Sequence, residues 1–323
     1  MRVTLLLPPL ARFAGNTGVL ARWIARGDRL GDATPGREAA LRACFQFLGT
    51  GLPVAALTHS LDADHEVDVQ WLRCDPAYVI ADAVTLRLIA CGDVALSQTE
   101  AEQLAQPLKP LFGDAGFPLE VVRPDRWYLR CPREARLPRF STPGDALGDD
   151  LARHLPEGDN ARQWRRLLNE AQVVLTQHPL NAQRAQRGLA PVNSVWPWGA
   201  GMLPEWVKSD FGHVVSSDEI VVALAKRCAT KMVSLPPGAA SAEAVKIIDA
   251  TIDDAANAEG AALFDFAQKR DVVRLETIWL APLDAALKSG RITRIDLRFE
   301  GGECVTTKRA HRWRAWRRIR PLA

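Results

Sequence analysis

Apolar and polar positions follow two rhythms along this chain. Met1–Leu7 is a nearly unbroken apolar run that stops at Pro8-Pro9, the pattern of a strand buried on both faces. Asn160–Gln177 places Trp164, Leu167, Leu168, Ala171 and Leu175 on one face at helical spacing. Ser216 with Glu219 has the form of a capping box and predicts a helix over Asp218–Cys228. A third helix is predicted from about Ala242 to Ala258, just before Gly260. Short strands are predicted at Lys231–Leu235, Val272–Leu280 and Ile292–Phe299, with Val192–Trp198 joining them in a largely parallel sheet. Strands that alternate with amphipathic helices predict an α/β fold with helices flanking that sheet. Region 61–145 mixes strands with one helix, Glu100–Phe112, shortened or bent by Pro107 and Pro110. It reads as a smaller inserted α+β domain, with 1–60 and 146–323 forming the core.

Composition narrows the class. The 323 residues, 47% hydrophobic and 24% charged, suit a soluble globular protein able to bury a substantial core. Six cysteines without metal or redox spacing predict reduced thiols in a cytoplasmic protein. No apolar run approaches a membrane span, and Pro8-Pro9 break the early run too soon for a signal peptide. Charge is unevenly distributed. Residues 305–323 hold seven Lys and Arg and no acid, and taking those seven from a net +3 leaves the remainder at −4. Within that segment Trp313 and Trp316 are interleaved with arginines. Two readings stay open: a cap that docks both tryptophans onto the body, or an arm that lies on nucleic acid or an anionic membrane.

Candidate chemistry concentrates in His178–Gly201, HPLNAQRAQRGLAPVNSVWPWGAG. Pro179 disfavours helix at His178, Asn181 is placed to cap a short basic helix, and Gly188 to end it. Val192–Trp198 then runs into Gly199-Ala200-Gly201, whose exit amides suit an anion. Trp196 and Trp198 share a face at spacing two, as core anchors or a cleft wall. The stretch is expected to wall the principal ligand cleft, with Arg184, Asn193, Gly199 and Gly201 on the ligand and His178 and Asn181 shaping the loop. Arg87 and Arg126 of the inserted region are further candidates, because a guanidinium fork matches phosphate or carboxylate.

This motif resembles the matching region of cofactor-independent phosphoglycerate mutases of the archaeal type. It is similar also to a degenerate bacterial branch of mutase-like proteins that includes a regulator of pathogenicity factors. MLPEWVKSDFGHVVSSDEIVVALAKRCATKMVSLP downstream and WLRCDPAYVIADAVTLRLIACGDVALSQ upstream resemble the same family. The resemblance implies an alkaline-phosphatase-like core with an inserted substrate domain. It implies two divalent metals held by Asp and His, and a Ser or Thr that carries the phosphoryl group.

The chain departs from that pattern. Pro8-Pro9 stand where the family's first strand ends in a ligating Asp-Gly pair. No serine precedes Ser60, and Thr34 is a weak substitute nucleophile. Only His213 and His311 follow Gly201, and no Asp-His pair occurs there. The cluster Asp62, Asp64, His65, Glu66 and Asp68 reads as a solvated acidic loop rather than a replacement metal site. The expectation is a mutase-like protein without metal, cofactor or catalysis, regulatory or binding a small phosphorylated or carboxylated metabolite, with a protein partner as a further option. Two alternatives remain: an active metal-dependent mutase or phosphatase with a rebuilt site, and a protein acting on nucleic acid or membrane through residues 305–323.

Overall fold

The computed structural model describes residues 1–63, 68–82, 85–236, 238–257 and 260–322. Contacts divide the chain into two units, Met1–Leu48 with Glu205–Ala323, and Gly49–Pro204.

The first unit is built on Arg2–Leu7, where every position from Val3 to Leu7 is buried. Such a strand needs partners on both edges and cover on both faces. It finds Ala261–Asp265 on one side and Arg294–Phe299 on the other, both parallel. The full order is Lys231–Ser234, Phe211–Ser216, Ala261–Asp265, Arg2–Leu7, Arg294–Phe299, Glu303–Lys308, Asp28–Asp32. The first five strands run parallel, Glu303–Lys308 runs against them, and Asp28–Asp32 pairs antiparallel to Glu303–Lys308. The fold class is therefore α/β with a mostly parallel sheet. Phe264, Phe266, Trp279, Ile248 and Leu297 pack together in its core.

Two expectations about this sheet are corrected. Val272–Leu280 is helical: Val272–Arg274 leads through a π-helical turn, Leu275–Leu280, into the helix Ala281–Ser289. Its β-branched residues suggested a strand, but Leu275, Trp279, Leu280, Leu283 and Leu287 are buried at helical spacing, and Asp271 caps the start. The strand that the sheet needed is Ala261–Asp265, short and alanine-led, which periodicity does not single out. The helix Glu219–Arg227 forms close to its predicted place, but its N-cap is Asp218 rather than Ser216.

The second unit holds an antiparallel sheet. Gln70–Ala81 pairs with Leu86–Cys91, Arg126–Cys131 and Ser194–Met202, and Leu119–Arg123 extends it beside Arg126–Cys131. The predicted strand Val192–Trp198 therefore belongs here, antiparallel, and not in the parallel sheet. The predicted helix over Glu100–Phe112 is two helices, Gln98–Ala105 and Leu108–Asp114, separated at Pro107. Ala161–Thr176 forms as expected and buries Trp164, Leu167, Ala171 and Leu175.

Candidate functional site

Open parallel sheets place ligands beyond the carboxyl ends of their strands. In the first unit those ends deliver Ser216, Asp265 and, one residue past the sheet, Glu300. Asp218 follows Ser216 at the start of its helix, where Oδ1 accepts from the amides of Ile220 at 2.9 Å and Val221 at 3.3 Å. Into this acidic group projects Arg37, the first residue of the helix Arg37–Arg42. The preceding Gly36 has φ 111°, and its amide donates to Glu300 O at 2.8 Å, which pins the approach.

The Arg37 guanidinium is engaged through both Nη groups. Nη1 and Nη2 reach the two oxygens of Asp265 at 3.1 and 2.9 Å. Nη2 also donates to Asp218 Oδ2 at 2.9 Å, and Nε lies 3.7 Å from Glu300. Asp265 further accepts from Ser216 Oγ at 2.9 Å and the Ala267 amide at 3.2 Å. Burial works against the Arg37 charge, but Asp265 first, then Asp218 and Glu300, hold its pKa above the ordinary arginine value. Glu300 is pushed up, chiefly by burial and then by Asp265, against the pull of Arg37. Three carboxylates thus share one cation.

Beside this group lies a cavity of about 440 Å³ lined by Asp218, Asp265, Lys269, Arg270, Arg274 and Trp279, among others. Arg274 donates to Ala239 O at 3.3 Å. The Lys269 ammonium is half-buried and has no hydrogen-bond or ion-pair partner among the described residues. Burial, then neighbouring Arg274, lowers its pKa, with Asp265 opposing. A desolvated cation without a direct ion pair, next to two arginines, is an environment that an anion improves.

Parts of the chain are similar in sequence to phosphoglycerate mutases. A 2,3-bisphosphoglycerate-independent phosphoglycerate mutase of Methanothrix thermoacetophila is 29% identical over 146 residues, 44% of this chain and 36% of that protein. One from Methanosarcina mazei is 36% identical over 64 residues, 20% of this chain and 16% of that protein. The curated relatives of this chain are phosphoglycerate mutases. The matched stretches span between 16% and 36% of those mutases' own length. No family model matches the chain. Among solved structures, the cofactor-independent phosphoglycerate mutase of Thermoplasma acidophilum is 16% identical with a TM-score of 0.42, over 95% of this chain and 89% of that one. A Pyrococcus horikoshii protein is 13% identical with a TM-score of 0.46, over 95% and 87%.

The two divalent metals that a mutase resemblance implies do not fit here. Among the described residues no group of three or more His, Cys, Asp or Glu side chains is arranged to hold a metal. The carboxylates at the strand ends converge on Arg37, whose guanidinium takes the space and the charge that a cation would need.

Most residues expected from the sequence to meet a ligand are held by contacts within the protein. Arg184 is 0% exposed, and its guanidinium donates to the carbonyls of Ala190, Ala95 and Val94 at 3.0, 3.1 and 2.5 Å. Asn193 exchanges hydrogen bonds with the backbone of Val79, at 2.8 and 2.9 Å. Gly199 (φ 68°) and Gly201 make room for the helix Val54–Asp62: a Cβ would stand 2.8 Å from Val54 Cβ and 2.5 Å from Pro53 Cβ respectively. Arg126 is buried against Asp62 at 3.0 Å, while Arg87 lies at the surface on Asp82 and Gly148 O. His178, not Asn181, caps the helix Pro179–Gln186. Asn181 instead bridges Leu175 O, Val192 O and the Val192 amide. Trp196 is buried, and Trp198 Nε1 donates to Asp75 at 2.7 Å. None of His178–Gly201 lines the 440 Å³ cavity, whereas Ser194, Val195, Trp196 and Pro197 line another of about 380 Å³.

Thr34 sits exposed in the loop before Arg37, and its hydroxyl has no partner among the described residues to activate it. Of the acidic loop, Asp64, His65 and Glu66 lie outside the described residues. Asp62 is taken by Arg126 and Tyr128, and Asp68 by Arg133. Sequence reasoning missed Arg37, Asp265, Glu300 and Lys269. The available signal was an Asp closing the apolar run AALFD, followed one residue later by the basic AQKR stretch.

Proposed function

We propose that this protein is a degenerate phosphoglycerate-mutase-like protein, of the bacterial branch described above, that binds a small phosphorylated or carboxylated metabolite without transferring its phosphoryl group. It would then act as a regulatory or accessory component. The observation that carries the reading is the Arg37 lattice. Phosphoryl transfer in the mutases rests on cations that polarise phosphate and generate the nucleophile. Here the strand-end carboxylates neutralise an arginine, which supplies charge but neither an exchangeable coordination position nor an activated oxygen. The neighbouring Lys269, Arg270 and Arg274 keep the capacity to grip an anion.

The test pairs turnover with binding. With 3-phosphoglycerate and added manganese, no mutase or phosphatase activity is expected above a buffer control. By calorimetry, 3-phosphoglycerate or inorganic phosphate should bind, and Lys269→Ala or Arg274→Ala should weaken binding about tenfold or more, since a charge-assisted hydrogen bond contributes on the order of 1.5–3 kcal/mol. Metal-dependent turnover that disappears in Thr34→Ala overturns the reading in favour of a rebuilt active site.

A further inference from the structure

The segment that follows the sheet reverses the usual polarity of a docked peptide. Arg309–Trp313 is a 3₁₀ turn, and tight turns continue it: Arg314 N to His311 O at 3.1 Å, Ala315 N to Trp313 O at 2.8 Å, Arg317 N to Arg314 O at 3.1 Å. In such winding, residues three apart superimpose. Arg314 and Arg317 share one side and face the body. Arg314 bonds Asp28 and Arg26 O, and Arg317 donates to Gly27 O at 2.7 Å. His311 adds a contact to Asp28 at 3.3 Å. Trp313 and Trp316, three apart, face water at 71% and 75% exposure, and Ile319, past the last of these turns, is 38% exposed. The tryptophans therefore do not cap the core. The arginines anchor the segment, and the rings stand clear of it.

We propose that this face, centred on Trp313, Trp316 and Ile319, docks onto an anionic lipid bilayer. Three observations support a bilayer over other occupants. Two indoles and an isoleucine held outward on a backbone fixed from behind match the headgroup boundary, where amphipathic rings sit. Residues 305–323 carry seven cations and no acid, which complements an anionic surface. Beside them a groove of about 670 Å³ is lined by Arg29, Arg317, Arg318 and Arg320 with Leu10 and Ile24; its one carboxylate among the described residues, Asp28, is already paired with Arg314 and His311, which leaves a cationic and apolar wall suited to a lipid phosphate and its glycerol stem. Nucleic acid fits less well. Arg312 lies over the Trp313 ring, 4.8 Å from its centroid, and covers a face on which a base would stack.

The experiment is cosedimentation of the full chain with vesicles of phosphatidylcholine alone or mixed with phosphatidylserine, with melting temperature measured in parallel. Binding is expected only to the anionic vesicles, weakening as salt rises. The double variant Trp313→Ser/Trp316→Ser should lose about tenfold or more of that affinity at unchanged melting temperature, because neither ring supports the core. Arg312→Glu/Arg318→Glu provides a second, charge-only arm with the same expected loss. Equal binding by wild type and both variants overturns the proposal, as does failure to bind anionic vesicles. Salt-sensitive capture of a single-stranded oligonucleotide without vesicle binding overturns it in favour of nucleic acid.

Discussion

At the scale of the residue, Arg37 decides the character of the first unit. Removing it takes away the cation that Asp265, Asp218 and Glu300 share. Arg37→Ala is expected to lower unfolding stability by about 3–5 kcal/mol in a urea titration, the range for orphaning buried charge. Arg37→Lys should recover little, because a point charge cannot span both Asp265 oxygens as a fork does. Glu300 offers a test by pH. Its folded pKa lies above the ordinary 4.5, so ionisation is less favourable in the native protein than in the unfolded chain. The stability linked to Glu300 is fully present below that ordinary value and is lost as pH rises through the elevated one. Glu300→Gln should therefore melt higher than wild type at neutral pH, with the difference closing below 4.5. None of this was visible in sequence. Arg37, Asp218, Asp265 and Glu300 lie on four separated segments with no fixed spacing, and only the parallel register of the strands gathers them.

At the scale of the element, periodicity performed well where one face is buried and poorly where it is not. Ala161–Thr176 and Ser241–Asn257 were legible because each pairs a core-facing stripe with a solvated one. Ala261–Asp265 was not, since a five-residue strand buried throughout has no contrast to read. Ser194–Met202 was legible as a strand but assigned to the wrong sheet, because nothing local to a strand names its partner. Its glycines, expected to present amides to an anion, instead let the helix Val54–Asp62 approach closely. Gly201→Ala should accordingly cost about 1–3 kcal/mol through overpacking against Pro53. Chemical denaturation reads this directly, and an unchanged midpoint would show that the helix can give way.

At the scale of the whole molecule, the α/β class was predictable from the alternation of strand and helix patterns. The sequence sets an expected inserted region at 61–145, and contacts group Gly49–Pro204, which takes in helices and a strand whose patterns suit either unit. The sheet order carries one more consequence, for the newly made chain. Arg2–Leu7 is synthesised well before its neighbours, both of which lie beyond residue 260. Gly49–Pro204, by contrast, draws its contacts from one continuous stretch. Contacts distant in sequence form slowly, so the inserted unit should fold while the opening strand still waits for partners. In refolding followed by pulsed hydrogen exchange, amides of Gln70–Ala81 should gain protection before those of Val3–Leu7. Until its partners emerge, the ribosome would present a bare run, Val-Thr-Leu-Leu-Leu, of the kind that holding chaperones bind, and yield in the cell would depend on how long that run stays uncovered.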